Sequence, residues 1–377
     1  MKKISLYLHI PFCVRKCGYC DFISFEYNSK EVEHYLNNLI KEIKYYGEHY
    51  SQKIHTVFIG GGTPSLLTGN QMQNLMAAVN QAFDLSECVE VSMESNPGTL
   101  SLEKLLAYKD AGINRMSMGV QTLNNDTLKS LDRIHDVEMV YDSVASMKAA
   151  GLTNFNMDLM FGLPGQSLEQ LEETVDKMVE LNPMHISAYS LKYEEGTEFY
   201  KKLENGDLEV FEDDLDREMY HLIIKKLENA GYQQYEISNF SKAGFECQHN
   251  LVYWEKKPYL GLGIGAHSYM DKKRFYNVTT LNDYDELIKK ECHSVMGIDE
   301  IDPEDDLFES IILSLRLNKG LDINKINDLY EIDFLRAFKD EIERLLKDEL
   351  IELNNNVMTL TPLGRDLSNQ VFVAFLN

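Results

Sequence analysis

The sequence predicts an α/β fold: an open, partial (β/α)6 barrel, then a mixed α+β segment and a C-terminal winged-helix-like unit. In the first half, short β-type runs alternate with helix-period segments, the pattern of βα units that build a parallel sheet. Six such units fall short of the eight in a closed barrel, so the sheet is expected to stay open. Past residue 200 the alternation stops, and the chain ends in helices followed by a hairpin.

The expected strands are ISLYLHI (4–10), HTVFIG (55–60), VEVSME (89–94), INRMSMG (113–119), NFNMDLM (154–160) and HISAYSL (185–191). Between them, EVEHYLNNLIKEIKYY and LEQLEETVDKMVEL carry apolar residues at helical spacing. These units define a first region over 1–205. Region 206–298 opens with the helical DDLDREMYHLIIKKLENAG and continues through YQQYEISNF, HNLVYW and the glycine-rich YLGLGIGAHSY. From 299 to 377 the helical LFESIILSLRL and FLRAFKDEIERLLKDE precede the hairpin LIELNNNVMTLT and a helix near Pro362. A winged helix suggests DNA, but acidic side chains outnumber basic ones in this region, which favours a packing or partner-docking role.

With 37 Lys and Arg against 61 Asp and Glu, the net charge is −24. That field opposes general binding to nucleic acid or anionic membrane. No apolar run approaches the roughly 20 residues of a membrane span. The N-terminal MKKISLYLHIPF lacks a sustained apolar core and reads as a first strand, so the protein is expected in the cytoplasm, with peripheral membrane docking open. Cys88, Cys247 and Cys292 are scattered and suggest no disulfide framework.

Cys13, Cys17 and Cys20 stand at C-x3-C-x2-C spacing directly after the first strand. Three thiolates suit three irons of a [4Fe–4S] cube whose fourth iron stays open to a ligand. An incomplete zinc site and unliganded thiols are the alternatives. GGGTPS (60–65) follows the second strand, where small residues let the backbone approach a ligand or simply turn. Polar residues also sit at or beyond the ends of later strands: Glu94 in ESNPG, Gln121 in MGVQ and Asp158 in NMDLMFGLPG, with Arg133 in LDRIH. Each could be a capping group. Together they mark the C-terminal edge of the sheet, where active sites of related barrels gather.

YLHIPFCVRKCGYCDF resembles the opening of the radical S-adenosylmethionine (SAM) superfamily, in its oxygen-independent coproporphyrinogen III oxidase-like branch. The resemblance extends over nearly the whole chain, through GYQQYEISNF, YLGLGIGAHSY and the LNKG and LTPLG segments. It implies a [4Fe–4S] cluster on Cys13, Cys17 and Cys20, with SAM chelated at the open iron and cleaved on reduction to a 5′-deoxyadenosyl radical. It further implies SAM contacts from Gly61, Gly62, Thr63, Glu94, Gln121, Arg133 and Asp158, with Tyr7 and Tyr19 around cluster and adenine. His9 either supports these contacts or is a buried strand histidine. No catalytic side chain is assigned.

Two branches compete. The decarboxylating oxidase branch carries a further cysteine two positions beyond the third cluster ligand and an N-terminal extension, whereas this chain has Phe22 there and six residues before Tyr7. In HNLVYW, by contrast, His249, Asn250, Tyr253 and Trp254 are similar to the H-N-x-x-Y-W motif of the heme-chaperone branch. Imidazole ligates heme iron and aromatic rings pack on porphyrin, so His249 is the expected heme ligand. His267, in GIGAHSY, is a lesser candidate better read as structural, and Cys247 is not assigned. The resemblance therefore implies a heme chaperone rather than an enzyme of coproporphyrinogen III decarboxylation. Its expected partners are heme, acceptor hemoproteins including membrane-bound ones, and an electron donor; a homodimer is open. An iron–sulfur redox sensor would explain the cysteines but not the other motifs.

Overall fold

The computed structural model describes residues 3–376. Six parallel strands, β1 (Ile4–Ile10), β2 (Ile54–Gly61), β3 (Glu90–Ser95), β4 (Arg115–Gln121), β5 (Phe155–Phe161) and β6 (His185–Ser190), lie side by side in chain order. The long crossover helices include α1 (Ser29–His49), α2 (Gly69–Ala82), α3 (Leu102–Asp110), α4 (Val137–Ala149) and α5 (Leu168–Glu180). Their starts are built as the sequence dictates: Thr68 with Gln71 and Ser167 with Gln170 form reciprocal capping boxes. The strands match the expected ones to within two residues. The fourth begins late because Gly112, at φ +98°, and Ile113, bonded back to the Tyr108 carbonyl, still close the preceding helix.

Period-two alternation sorts the strands into two faces. Leu6, Leu8, Val57, Ile59, Val91, Met93, Met116, Met118, Met157 and Leu159 pack in the helix-covered apolar core. The opposite, concave face receives Tyr7, His9, Glu90, Glu94, Arg115, Asn156, Asp158 and His185. Continuous burial along these strands therefore hides a polar lumen.

The sheet does not stop at six. Beyond β6 run the short antiparallel strands β8 (Asn239–Ser241) and β7 (Gln233–Glu236). On the other side β9 (Tyr259–Leu262) pairs in parallel with β1, so the first strand is interior. Three antiparallel strands, β10 (His267–Met270), β11 (Lys273–Asn277) and β12 (Val295–Glu300), complete a twelve-stranded sheet. Gly261 permits this continuation, because a Cβ there would strike the His267 carbonyl. A second apolar cluster, including Ile311, Phe334, Phe338 and Leu345, packs against a three-stranded sheet containing the expected hairpin. Among the described residues no helix is long and apolar enough to cross a membrane.

Candidate functional site

The C-terminal ends of the parallel strands carry the cysteine loop and its neighbours. Cys13, Cys17 and Cys20 are free and half-buried. The Thr63 hydroxyl donates to Cys13 Sγ at 3.5 Å, and Arg133 Nη1 donates to Cys17 Sγ at 3.6 Å. Burial pushes the Cys20 thiol up to about 11 and raises Cys13 as well, so a bound cation is what would hold these sulfurs as thiolates. Among the described residues no three His, Cys, Asp or Glu side chains are arranged around a single ion. A four-iron cube places each thiolate on a different iron and needs a wider spacing than one zinc. Three free thiols, two of them accepting from Thr63 and Arg133, are the donor set such a cube would use.

Around this loop the expected cofactor residues interlock. Gly61 lies at φ +115°, and its N–H donates to Glu94 Oε2 at 2.9 Å. A Cβ on Gly61 would meet the His9 ring at 2.6 Å, and one on Gly62 would meet the Phe12 backbone. Arg133 Nη2 donates to Asn96 Oδ1 at 2.8 Å and to the Gly119 carbonyl at 2.5 Å, while Asn96 donates to Thr63 at 2.9 Å. Arg133 Nε is buried without a partner among the described residues. Gln121, itself at φ +69°, accepts from the Tyr189 hydroxyl at 3.0 Å. Asp158 is held by Asn156 at 2.7 Å. Tyr19 packs edge-on against Phe199, with ring centroids 6.2 Å apart.

Two acids stand on the lumen face, Glu94 on β3 and Asp158 two strands away on β5, near enough for one charge to act on the other. Burial first, and the Asp158 charge second, push Glu94 up to about 8; burial likewise raises Asp158 to about 6. Such a pair favours a cationic ligand, which would let both ionise. His9 serves this wall as a positioning residue. Its Nε2–H donates to the Ile23 carbonyl at 3.1 Å and its Nδ1 accepts from Tyr7 at 3.0 Å, tying the loop after the cysteines to β1.

The structure places His249 elsewhere. The short helix α6 (Gln248–Trp254) plugs the lumen near the N-terminal ends of the strands, and the His249 ring stacks on Phe58 at 5.1 Å. Its Nδ1 meets Thr56 Oγ1 at 2.7 Å and its Nε2 meets the Tyr253 hydroxyl at 2.9 Å. The Glu90 carboxylate accepts from the Gln248 and His249 N–H groups at 2.9 and 3.1 Å. With the side chain 1% exposed and both nitrogens engaged, burial drives the imidazole down to about 3. His249, the expected heme ligand, thus has both ring nitrogens engaged in this arrangement. Asn250 and Trp254 do not line the cavity described next, whereas Tyr253 does.

A cavity of about 440 Å³ joins the two halves of the site. Tyr7, His9, Gly61 and Glu94 line one part; Asp21, Phe22, Ile23, Tyr253, Tyr259, Gly265, Ala266 and His267 complete it. Phe22 is 58% exposed here. Sequence reasoning missed Asn96, Tyr189 and Asn156. Asn96 lies just past the end of β3, two residues beyond Glu94, and Tyr189 is the last but one residue of the sixth strand, so the periodicity that marks Glu94 also reaches them.

Comparison with known proteins adds three findings. The Radical SAM superfamily model matches residues 7–178, and the HemN C-terminal domain model matches 301–367. Heme chaperone HemW of Bacillus subtilis is 38% identical over 374 residues, covering 99% of both chains. Heme chaperone HemW of Lactococcus lactis is 35% identical, covering 100% of this chain and 98% of its own. Coproporphyrinogen III oxidase HemN of Escherichia coli, described as a radical SAM enzyme, superposes with a TM-score of 0.87 at 24% identity, over 99% of this chain and 90% of that one. This last likeness concerns the fold.

Proposed function

Because the chain belongs to the heme chaperone HemW family within the radical SAM superfamily, we propose that it binds heme and hands it to acceptor hemoproteins. The carrying observation is full-length similarity to chaperones of that name at 35–38% identity. The superfamily brings a [4Fe–4S] cluster and SAM. In our assignment Cys13, Cys17 and Cys20 hold the cluster. Thr63 and Arg133 also reach its sulfurs, and Gly61, Gly62, Thr63, Glu94, Gln121, Arg133 and Asp158 hold SAM, with Tyr7 and Tyr19 alongside. When bound and reduced, this pair supplies radical chemistry. Arg133, pinned by Asn96 and the Gly119 carbonyl, positions positive charge beside Cys17, while Glu94 and Asp158 are the groups that would release protons to solvent when a cationic ligand binds beside them.

Decarboxylation of coproporphyrinogen III is not favoured: the full-length relatives above are chaperones, and Phe22 stands where the oxidase branch has its additional cysteine. Membrane-bound acceptors, an electron donor and a homodimer belong to the same proposal. Anaerobic cluster reconstitution followed by heme titration tests it. We expect one heme per chain and passage of that heme to an apo-hemoprotein. A cluster-replete protein that takes up no heme, or one that turns over coproporphyrinogen III with SAM and reductant, would overturn it.

A further inference from the structure

We propose that His267, not His249, supplies the axial imidazole to heme iron, with the porphyrin seated in the cavity bounded by Phe22, Tyr253 and Tyr259. The assignment rests on the heme-binding reading above and deepens it.

Among the described residues two histidines line the cavity, His9 and His267. His9 has both ring nitrogens engaged, by Tyr7 and by the Ile23 carbonyl. His267 is exposed, and among the described residues neither of its ring nitrogens has a hydrogen-bond partner. An unpartnered imidazole on the wall of a cavity that also presents aromatic rings is what a heme iron needs, because the bond forms without first breaking one inside the protein. The cavity also carries Tyr7, Gly61 and Glu94, assigned above to SAM, so the porphyrin takes only the part bounded by Phe22, Tyr253 and Tyr259, where Phe22 is exposed. Tyr253 and Tyr259 meet edge to face at 4.7 Å, and the exposed Phe22 ring adds a further aromatic surface.

The backbone carrying His267 is unusually well held for an exposed residue. Gly263 and Gly265, at φ +96° and +65°, make the turn that leads to it. The buried Glu42 carboxylate accepts the Gly263 N–H at 2.9 Å, and Asn277 donates to the Gly263 carbonyl at 2.8 Å. Across the strand pair the Tyr276 ring backs the imidazole at 6.2 Å. A ligand on a braced strand keeps its direction when cargo leaves.

His249 then acts at a distance, as a positioning residue. Its Nε2 fixes the Tyr253 hydroxyl, and Tyr253 is part of the cavity wall.

The test compares wild type, H267A, H267G and H249A, each cluster-reconstituted, by heme titration with absorption and electron paramagnetic resonance spectra. We expect H267A to bind heme about tenfold or more weakly, the scale on which loss of one directional bond acts. Its spectrum should lose the histidine-ligated signature, and free imidazole should restore that signature to H267G. Cluster content and thermal unfolding should match wild type, since His267 is exposed. H249A should unfold more easily yet keep histidine ligation. An H267A protein with wild-type affinity and spectrum would overturn the assignment, as would loss of the signature in H249A alone. Wild-type protein that binds no heme would instead overturn the heme-binding reading, and this assignment with it.

Discussion

Replacing Glu94 by glutamine should remove a pH-dependent weakness from the protein before SAM is bound. In the folded chain Glu94 titrates near 8 against an ordinary 4.5, chiefly through burial and secondarily through the Asp158 charge. Between those two values the folded state holds a proton that the unfolded chain has released. The folded state binds more protons, so stability falls as pH rises, and the fall ends once Glu94 ionises near pH 8. At full value, moving this one carboxyl from about pH 6 to about pH 8.5 removes about 2.5 kcal/mol. Cavity water screens the partly exposed carboxylate, so about 1 kcal/mol is the expected size. Glutamine cannot ionise and lacks this contribution. Urea unfolding of anaerobically prepared wild type and E94Q at the two pH values measures it. The wild type should lose about 1 kcal/mol more than E94Q on going to the higher pH. Parallel losses in the two proteins would refute the reasoning. A cation reverses the balance: SAM carries an ammonium group, so on our assignment its binding near pH 7 should release a proton from wild type, and less from E94Q, by calorimetry in two buffers.

Three further outcomes are expected. Alanine at Cys13, Cys17 or Cys20 should abolish iron uptake and the cluster's visible absorption, whereas C88A and C292A should retain both. Gly61→Ala, forced to keep φ +115° with its Cβ against His9, should cost about 2 kcal/mol in urea unfolding and weaken the SAM-induced change in the cluster spectrum, with iron content preserved. Glu42→Ala would strip the acceptor from the Gly263 N–H, the Tyr284 hydroxyl and both donors of Ser294, for about 3–5 kcal/mol by urea unfolding; a loss under about 1 kcal/mol would contradict that account.

The parallel half of the fold was legible because strands covered on both faces read as near-continuous buried runs. The cysteine spacing and the strand-end polar residues were legible for the same reason, since their positions follow from the strand ends. What escaped was set by distant contacts. YLGL has too much glycine to look like a strand, yet Gly261 is needed there because the His267 backbone passes so close. HNLVYW advertises an imidazole among aromatic rings, a description that suits a ligand pocket and a barrel plug equally. Only the position of Phe58, Thr56 and Glu90 on neighbouring strands decides that His249 faces inward and is fully bonded. His267 opens a strand that follows a turn held by Glu42, more than two hundred residues upstream.

The interior place of β1 also sets a timetable for making the molecule. Ser5 must wait for Tyr259 before its second neighbour exists. At roughly 5–20 residues per second of synthesis, that delay is on the order of ten to fifty seconds. Throughout it the nascent first strand has an unpaired side next to the cysteine loop, reachable by iron donors and equally by stray strand edges. The plug that floors the cavity and the strand that bears His267 emerge only after all six parallel strands. The space for cargo is therefore among the last parts of the barrel to be enclosed, well after the cysteines have left the ribosome.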